Sequence, residues 1–319
     1  MTTALETRTR RENHKPEYRV YFTEVVARKR LSPSFVRVTV AGHQLRSFGA
    51  GGADQRIKLM LPAPGRTVDD VPTGPDWYAE WQAMPEEIRP IMRTYTVRAF
   101  RPEVGELDID FVLHGSEEDA GGPASNWAAT TTPGDRVALL GPDRPGSGRM
   151  WGCEWCPPPT ARRLLLAGDE TAIPAVGAIL ESLPPEACGV ACLEVPTEDD
   201  VQPWRVPDGM EVRWLPRGRD SAEHGRLLEN ELAAVLREFR GENGCGAATC
   251  ALEDVDVDSS LLWEIPELSG RVDVEGGELY GWLAGEAGVI KRLRRMTVHD
   301  YGVPRGSVAF MGYWRAGRR

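Results

Sequence analysis

One short segment of this chain combines a cation, hydroxyl groups and an aromatic ring: it reads Arg93-Thr94-Tyr95-Thr96-Val97-Arg98. In a β-strand, Arg93, Tyr95 and Val97 point to one face, and the residues between them point to the other. A flavin dinucleotide needs an aromatic face, a hydroxyl group near its ring and a cation for its pyrophosphate. The segment therefore predicts a flavin-binding strand, and a partly exposed structural strand is the alternative.

A second candidate site begins where the apolar run 106–114 ends. Gly121 and Gly122 give the backbone freedom, and Pro123 falls where a first helical residue is expected, because its missing N–H costs nothing there. The start of a helix presents unpaired N–H groups that bind phosphate. We expect these groups to come from three residues, Ala124, Ser125 and Asn126.

Two further candidates follow apolar runs in the second half of the chain. The run 162–167 leads into Gly168-Asp169-Glu170-Thr171-Ala172, and the run 278–284 leads into Gly285-Glu286. Open α/β sheets bind ligands where a strand ends and a helix begins. Neither G-x-G-x-x-G nor a Walker A motif occurs, which argues against classical dinucleotide and P-loop folds. The alternative for Asp169 and Glu170 is a helix cap.

Periodicity indicates the elements that position these residues. Short strands at close spacing predict an antiparallel barrel in the first half, at 18–27, 35–41, 56–61, 93–100, 106–114 and 135–140. After Pro157-Pro158-Pro159, strands alternate with helices, and this pattern predicts a parallel α/β sheet. The predicted strands are 162–167, 189–195, 211–215, 278–284 and 307–312. The predicted helices are 171–183, 225–239 and 286–299. The fold class is α+β with two domains. We interpret 62–90, with Trp77, Tyr78 and Trp81, as a surface excursion, and 241–277 as an inserted acidic loop.

Composition limits the function classes. The 319 residues carry a net charge of -10, which argues against nucleic-acid or membrane partners. The chain shows no stretch of about 20 apolar residues and no secretory signal, so we expect a cytoplasmic monomer. Cys153 and Cys156 form a C-x-x-C that we interpret as a loop pair, and we predict no protein metal site. Residues 291–319 are an exception to the acidic average, because they hold eight basic side chains and one acid, Asp300.

Taken in order, these motifs resemble the siderophore-interacting protein family, a group of FAD-binding ferric-siderophore reductases in the ferredoxin-reductase-like superfamily. Five features carry the resemblance: Arg-x-Tyr-Thr-x-Arg, His-Gly followed by Gly-Pro-Ala-Ser-x-Trp-Ala, Ala-Gly-Asp-Glu-Thr-Ala-x-Pro, Ala-Gly-Glu, and Gly-Tyr-Trp-Arg. The resemblance covers about 19–317, and the acidic insert and the C-x-x-C depart from it. It implies a tail at 1–18, an FAD-binding barrel at 19–157 and an NAD(P)H-binding α/β domain at 158–319.

The resemblance also implies roles for individual residues. Tyr95 would stack on the flavin, Thr96 would approach its N5 side and Arg93 would meet the pyrophosphate. Tyr95, Thr96 and Thr171 are the catalytic candidates. The FAD and nicotinamide contacts would come from a larger set: Arg93, Tyr95, Thr96, Val97, His114, Gly122, Pro123, Ala124, Ser125, Trp127, Asp169, Glu170, Thr171, Ala172, Gly285 and Glu286. A basic site for the ferric siderophore would use Lys58, Arg315, Lys291 and Arg294.

The activity so implied is electron transfer from NADH or NADPH through FAD to the iron of a ferric siderophore. Acidic residues follow the strand 189–195, so we favour NADH, whereas Arg217 and Arg219 would favour NADPH. Two alternatives remain open. One is a general flavin oxidoreductase coupled to NAD(P)H or to ferredoxin as electron donor, and the other is a siderophore-binding protein without turnover.

Overall fold

The computed structural model of the chain describes residues 17–113, 122–143, 152–218, 223–243, 262–266 and 279–317. His114, Arg219, almost all of the tail 1–18 and most of the acidic insert 241–277 lie outside these ranges. No helix in the described ranges combines the length and the apolar character needed to cross a membrane.

The first sheet is antiparallel and has the strand order β4-β3-β7-β1-β2-β6-β5. Its strands are β1 (Glu17–Arg30), β2 (Phe35–Ala41), β3 (Arg56–Leu61), β4 (Ile91–Thr96), β5 (Ala99–Arg101), β6 (Glu106–Val112) and β7 (Arg136–Asp143). β4 also contacts β6, so the sheet curls into a half-barrel. Alternating β-branched residues, such as Val36, Val38 and Val40, fill its interior. The helix α2 (Pro123–Thr130) packs on β2 and β6.

The sequence predicted one strand at 93–100, and that prediction is wrong. β4 ends at Thr96 and β5 begins at Ala99, because the chain changes partner between them. β4 pairs with β3, whereas β5 pairs with β6. At the crossing, the Val97 amide donates to the Gln55 carbonyl at 2.8 Å and the Arg98 amide donates to the Asp108 carbonyl at 2.9 Å. The crossing thereby curls the sheet.

The second sheet has the order β10-β9-β8-β12-β13-β11. Its strands are β8 (Arg163–Gly168), β9 (Cys188–Val195), β10 (Gly209–Pro216), β11 (Trp263–Glu264), β12 (Leu279–Glu286) and β13 (Val308–Trp314). Four neighbouring pairs are parallel and β11 is antiparallel to β13, so the sheet is mixed. Three helices follow strands of this sheet in the chain: α3 (Ile173–Ser182) follows β8, α4 (Arg226–Asn243) follows β10 and α5 (Ala287–Arg295) follows β12. Apolar clusters lie on both faces, which explains the unbroken apolar run of β8.

Two buried carboxylates join the sheets. Asp54 accepts the backbone N–H groups of Glu154 and Trp155, and it accepts the indole N–H of Trp282 on β12 at 2.9 Å. Burial raises the pKa of Asp54. Asp200 accepts the hydroxyl group of Ser32 on the barrel side at 2.6 Å. We call these contacts the Asp54 seam and the Asp200 seam.

The excursion 62–90 contains a 3-10 turn at Val68–Asp70 and one short α-helix, α1 (Trp77–Ala83). Trp77, Trp81 and Met92 pack against the buried cluster that contains Met60, on the outside of the half-barrel. The Trp81 indole N–H donates to the Pro90 carbonyl at 2.8 Å, which fixes the end of the excursion just before β4. Cys153 and Cys156 form no disulfide bond with any described residue, and both lie in the segment that leads into β8.

Candidate functional site

The hairpin of β3 and β4 positions the first group of candidate residues. Tyr95 faces the barrel interior, where its ring lies 4.4 Å from the ring of Phe111 between centroids, and burial raises its pKa to about 12. Thr96 is buried beside it, and Arg93 is exposed. The hairpin therefore presents a ring and a guanidinium on one face, which are two of the three groups that a flavin dinucleotide requires, and the hydroxyl group of Thr96 lies next to them in the chain on the opposite face.

The start of α2 lies beside the same aromatic group. Pro123 is in the first turn and Gly122 is the N-cap, as the sequence predicted. The ring of Trp127 lies 5.7 Å from that of Phe111, so α2 and the Tyr95 hairpin share one aromatic contact. Among the residues that the structure describes, no side chain caps this N-terminus, and its first turn holds no acid, so the helix start suits an anionic phosphate.

The prediction that Asn126 supplies a free amide there is wrong. Its N–H donates to the Gly122 carbonyl at 3.1 Å. Gly122 is the N-cap, so Asn126 is the first residue whose amide reaches back four positions to a helical carbonyl. Of the three predicted amides, Ala124 and Ser125 remain candidates for a phosphate contact.

Lys58 lies on the other face of the hairpin from Tyr95. Lys58 pairs with Thr94 across the strands and Ile57 pairs with Tyr95, so the two pairs point to opposite faces. The Lys58 ammonium donates to the Thr94 hydroxyl at 2.6 Å. Burial and the neighbouring Arg56 lower the pKa of Lys58. No carboxylate of the described residues pairs with Lys58, which leaves its charge available to an anion.

Asp169 connects the carboxyl ends of three strands of the second sheet. Oδ1 accepts the backbone N–H and the hydroxyl group of Thr171 at 2.9 and 2.5 Å. Oδ2 accepts the Glu286 N–H at 2.7 Å and the Trp314 indole N–H at 2.9 Å. A side chain at Gly285 would place its Cβ 2.7 Å from Oδ2, so only glycine fits there. Asp169 is therefore an organising group rather than a helix cap.

Glu170 lies beside Asp169 in a cluster that sequence reasoning missed. Arg217 donates two hydrogen bonds to Glu170, at 2.8 and 2.9 Å, and a third to Glu194 at 3.0 Å. His224 Nε2 lies 3.5 Å from Glu170 Oε2 and 3.7 Å from Asp169 Oδ2. Burial opposes ionisation, but His224 and Arg217 together lower the pKa of Glu170 to about 2. Burial raises the pKa of Asp169, and the adjacent Glu170 adds to the rise.

The Glu194 carboxylate prevents a phosphate from binding at the N-terminus of α4. Its carboxylate accepts the Gly225 N–H at 2.7 Å and the Leu228 N–H at 3.0 Å, so it fills the N-terminus of α4 from inside the protein. Arg217 is paired with Glu170 and Glu194, so this geometry does not support the alternative in which Arg217 favours NADPH.

The basic side chains of the C-terminal segment lie in different environments. The side chain of Arg294 is 6 % exposed and pairs with Glu264 at 2.6 Å, so its predicted role in binding substrate is wrong. Its charge belongs to the contact of α5 with β11. Lys291 is half-buried on α5, and Arg315 follows Trp314 where the chain leaves β13. The backbone N–H of Ala316 donates to the Glu286 carboxylate at 3.2 Å, which holds this end of the chain beside Asp169.

The remaining predicted residues have simple placements. Val97 and Ala172 are buried. Ala172 is the N-cap of α3, with Pro174 in its first turn. Glu286 is the N-cap of α5 and accepts the Val289 N–H at 2.8 Å. His114 lies outside the described residues. Within those residues, no group of three or more potential ligand side chains could hold a metal ion.

Comparisons with known proteins agree with this geometry. Residues 24–146 match the family described as siderophore-interacting FAD-binding domain, and residues 161–317 match the family described as siderophore-interacting protein. The ferric vibriobactin reductase ViuB of Vibrio cholerae is 28 % identical over 303 residues, which cover 94 % of this chain and 92 % of ViuB.

Solved structures give the same result. The siderophore-interacting protein SipS from Aeromonas hydrophila is 31 % identical with a TM-score of 0.62, and the match covers 94 % of this chain and 93 % of SipS. The ferredoxin reductase of carbazole 1,9a-dioxygenase is 17 % identical with a TM-score of 0.57, over 93 % of this chain and 70 % of that protein. That likeness shows the fold alone. The predicted two-domain fold of the ferredoxin-reductase type is confirmed.

Proposed function

Because the chain belongs to the siderophore-interacting protein family, we propose that it is a ferric-siderophore reductase that uses FAD and a reduced nicotinamide. The observation that carries the proposal is the hairpin of β3 and β4. It holds the Tyr95 ring and the Arg93 guanidinium on one face, and on the other a lysine that pairs with no carboxylate among the described residues. The match to an FAD-binding siderophore family over the same residues supports both assignments.

The proposed FAD site uses Tyr95 against the ring, Thr96 near its N5 side, and Arg93 with the start of α2 at the pyrophosphate. FAD held by these residues would supply two-electron exchange with the nicotinamide and one-electron exchange with Fe(III), so one nicotinamide would serve two ferric ions. The protein orients the reactants. Tyr95 stays un-ionised at neutral pH because burial raises its pKa to about 12, so it presents a neutral ring.

The nicotinamide site that we propose lies at the carboxyl ends of β8 and β12, around Asp169, Thr171 and Glu286. Three hydrogen bonds to Asp169 fix the Thr171 turn and the Glu286 backbone there. We favour NADH as donor. Arg217 is committed to Glu170 and Glu194, and the exposed Glu198 would repel a 2′-phosphate.

Reduction of the iron releases it, because the hard oxygen donors of a siderophore hold Fe(III) far better than Fe(II). The anionic chelate is repelled by the chain's net charge of -10 and needs local cations to dock. Lys58 is the first of these in our proposal, and Arg315 and Lys291 are further members. The iron is substrate and needs no protein ligands.

The test is a reduction assay on the flavin-loaded protein, with NADH or NADPH, a ferric siderophore and a chromogenic Fe(II) chelator. We expect Fe(II) to form with NADH faster than with NADPH. Protein that takes up no flavin would overturn both enzyme functions and leave siderophore binding without turnover. Bound flavin with Fe(II) formation only from reduced ferredoxin would overturn the nicotinamide part alone.

A further inference from the structure

The C-x-x-C of Cys153 and Cys156 lies within the Asp54 seam. The two residues between the cysteines are Glu154 and Trp155, and their backbone N–H groups donate to the Asp54 carboxylate at 3.0 and 2.9 Å. The same carboxylate also accepts the indole N–H group from the second sheet. The motif is therefore part of the contact that joins the two sheets.

The two cysteines contact opposite sides of this junction. Cys153 is 8 % exposed, and its Sγ lies 3.7 Å from the carbonyl oxygen of Gly52, which precedes β3 of the first sheet. The backbone N–H of Cys156 donates to the hydroxyl oxygen of Tyr280 on β12 at 3.1 Å. The Trp155 ring packs edge-on against the Tyr280 ring with 5.3 Å between centroids. Every residue of the motif is thus held by one sheet or the other.

This conformation keeps the two thiols apart. Residues 153–158 contain no turn or bend. A chain of this kind rises about 3 Å per residue, so the Cα atoms of Cys153 and Cys156 lie about 9 Å apart. A disulfide bond needs Cα atoms within about 7 Å of each other. A disulfide therefore requires a turn at the two central residues, whose amides Asp54 binds.

The spacing of the motif nevertheless suits a two-step oxidation. Cys156 is half-buried and more exposed than Cys153, so its sulfur reacts with a peroxide first. That sulfur takes one oxygen as the O–O bond breaks, which gives a sulfenic acid and water. The Cys153 sulfur then attacks it, the S–S bond forms and a second water leaves. In sum, two thiols and one hydrogen peroxide give one disulfide and two waters, and two electrons pass from sulfur to peroxide.

We propose that Cys153 and Cys156 form a site of reversible oxidation by hydrogen peroxide, and that the disulfide and the closed Asp54 seam exclude each other. In the disulfide form, Asp54 loses the amides of Glu154 and Trp155. A buried acceptor that loses its donors is destabilising. Oxidation therefore loosens the contact between the two sheets, and reduction by a dithiol restores it.

The consequence for activity rests on the proposed function. The flavin site that we propose lies on the half-barrel and the nicotinamide site lies on the second sheet, so their alignment depends on the junction between the sheets. A loosened junction slows electron transfer from nicotinamide to flavin. Fe(II), the product of the proposed reaction, converts hydrogen peroxide to hydroxyl radical and hydroxide. Slower release of Fe(II) in the presence of peroxide limits that side reaction.

The first experiment treats the flavin-loaded protein with hydrogen peroxide, blocks the remaining thiols by alkylation and digests the chain with trypsin. The tryptic peptide 150–162 contains both cysteines of the motif and no other cysteine. We expect this peptide to carry no alkyl group and to be lighter than its dithiol by two hydrogens. Dithiothreitol before alkylation should restore both thiols. Cys156→Ser should form no disulfide in this peptide, and Cys188→Ser, which removes an exposed cysteine on β9, should behave like the wild type.

Two variants test the link to the seam. Asn has one acceptor oxygen where Asp has two, so Asp54→Asn cannot bind both the amides of the motif and the Trp282 indole N–H. We expect the disulfide to form at least about threefold faster in Asp54→Asn than in the wild type, because the seam opens more often. Asp200→Asn is the matched control. It weakens the Asp200 seam and keeps the contacts of the motif, so the disulfide should form at the wild-type rate.

Urea unfolding of the wild type tests the exclusion directly. A disulfide that fits the native fold raises the urea concentration at the midpoint of unfolding. We expect the oxidised protein to have a lower midpoint than the reduced protein, because its disulfide opens the seam. The peptide mass and this midpoint decide the proposal even if Asp54→Asn does not fold.

The outcomes separate the two proposals. A peptide that keeps both thiols after peroxide, or that gains a sulfinic acid instead of a disulfide, overturns the oxidation site. An unchanged or higher urea midpoint overturns it too, as does a rate of disulfide formation that Asp54→Asn leaves unchanged or that Asp200→Asn raises equally. If the disulfide forms as expected but the reduced protein reduces no ferric siderophore, the oxidation site stands and the proposed function alone fails.

Discussion

The cation on the β3–β4 hairpin, Lys58, and the cation at the carboxyl edge of the second sheet, Arg217, have opposite environments. At the sheet edge, the carboxylates of Glu170 and Glu194 surround Arg217, which is 13 % exposed. On the barrel, Lys58 has only a hydroxyl group as hydrogen-bond partner in the described structure. A paired cation organises the fold, whereas an unpaired one that is partly desolvated remains available for an anionic ligand. This contrast distinguishes structural from substrate-binding charges better than the count of basic residues does.

The largest effect on stability should follow from removing Arg217, the cation that Glu170 and Glu194 share. Arg217→Met leaves two buried carboxylates without their cation, and we expect the free energy of unfolding to fall by about 3 to 5 kcal/mol. Urea unfolding measures this. Arg213→Met is the control, because Arg213 pairs with exposed carboxylates such as Glu211 and should cost at most about 1 kcal/mol. Similar falls in the free energy of unfolding for the two variants would mean that burial does not increase the contribution of the Arg217 cluster to stability.

Removing the charge of Lys58 should lower the rate of substrate reduction rather than the stability of the fold. Lys58→Met removes a cation that pairs with no carboxylate in the described part of the chain, so we expect the fold to lose little stability. We expect kcat/KM for an anionic ferric chelate to fall about tenfold, which is about 1.4 kcal/mol, with unchanged flavin content. Arg213→Met removes the same charge from β10 and should leave kcat/KM unchanged. Loss of flavin from Lys58→Met would place Lys58 in the cofactor site instead.

The pH dependence of the paired region gives a smaller effect. Burial disfavours the charged imidazole of His224, but Glu170 and Asp169 outweigh it and raise its pKa, while Arg217 opposes them. A raised folded pKa stabilises the protein fully below the unfolded value of about 6.5, and this contribution disappears as pH rises through the folded pKa. We expect the free energy of unfolding of the wild type to fall more than that of His224→Gln between about pH 6 and about pH 9.

Urea unfolding of both proteins at the two pH values gives this difference. The Trp314 ring packs edge-on against His224 with 5.3 Å between centroids, so the glutamine variant also loses a ring contact. That loss is the same at both pH values and cancels in the comparison. A variant whose pH dependence equals that of wild type would show that His224 does not titrate with folding.

Much of the site could be predicted because its parts are local in sequence. The Tyr95 strand, the Pro123 helix start and the turn from Asp169 to Thr171 each lie within a few residues, and strand and helix periodicity is sufficient to place them. Arg217 and His224 could not be predicted in this way. The Arg217 bond to Glu170 spans 47 residues, and no periodic pattern indicates which charges meet across a sheet.

For Arg294, the local sequence pattern predicts the wrong environment. It lies in a run of basic residues, and such a run is typical of a solvated face. α5 instead turns this one side chain toward Glu264 on β11, a two-residue strand with no periodicity of its own. The break between β4 and β5 was missed for a similar reason, because Val97 and Arg98 keep strand-like composition while the chain changes its pairing partner.

The Asp54 seam has a consequence for how the chain folds. Asp54 and Trp282 are 228 residues apart, and the other partners of Asp54 lie 100 and 101 residues away. Contacts between such distant positions must overcome a large loop-closure entropy, so they form slowly and after local structure. We expect each sheet to form first and the seam to close last, as a docking step between two preformed units. Nascent chains on the ribosome would then reach the native junction only after β12 has been synthesised.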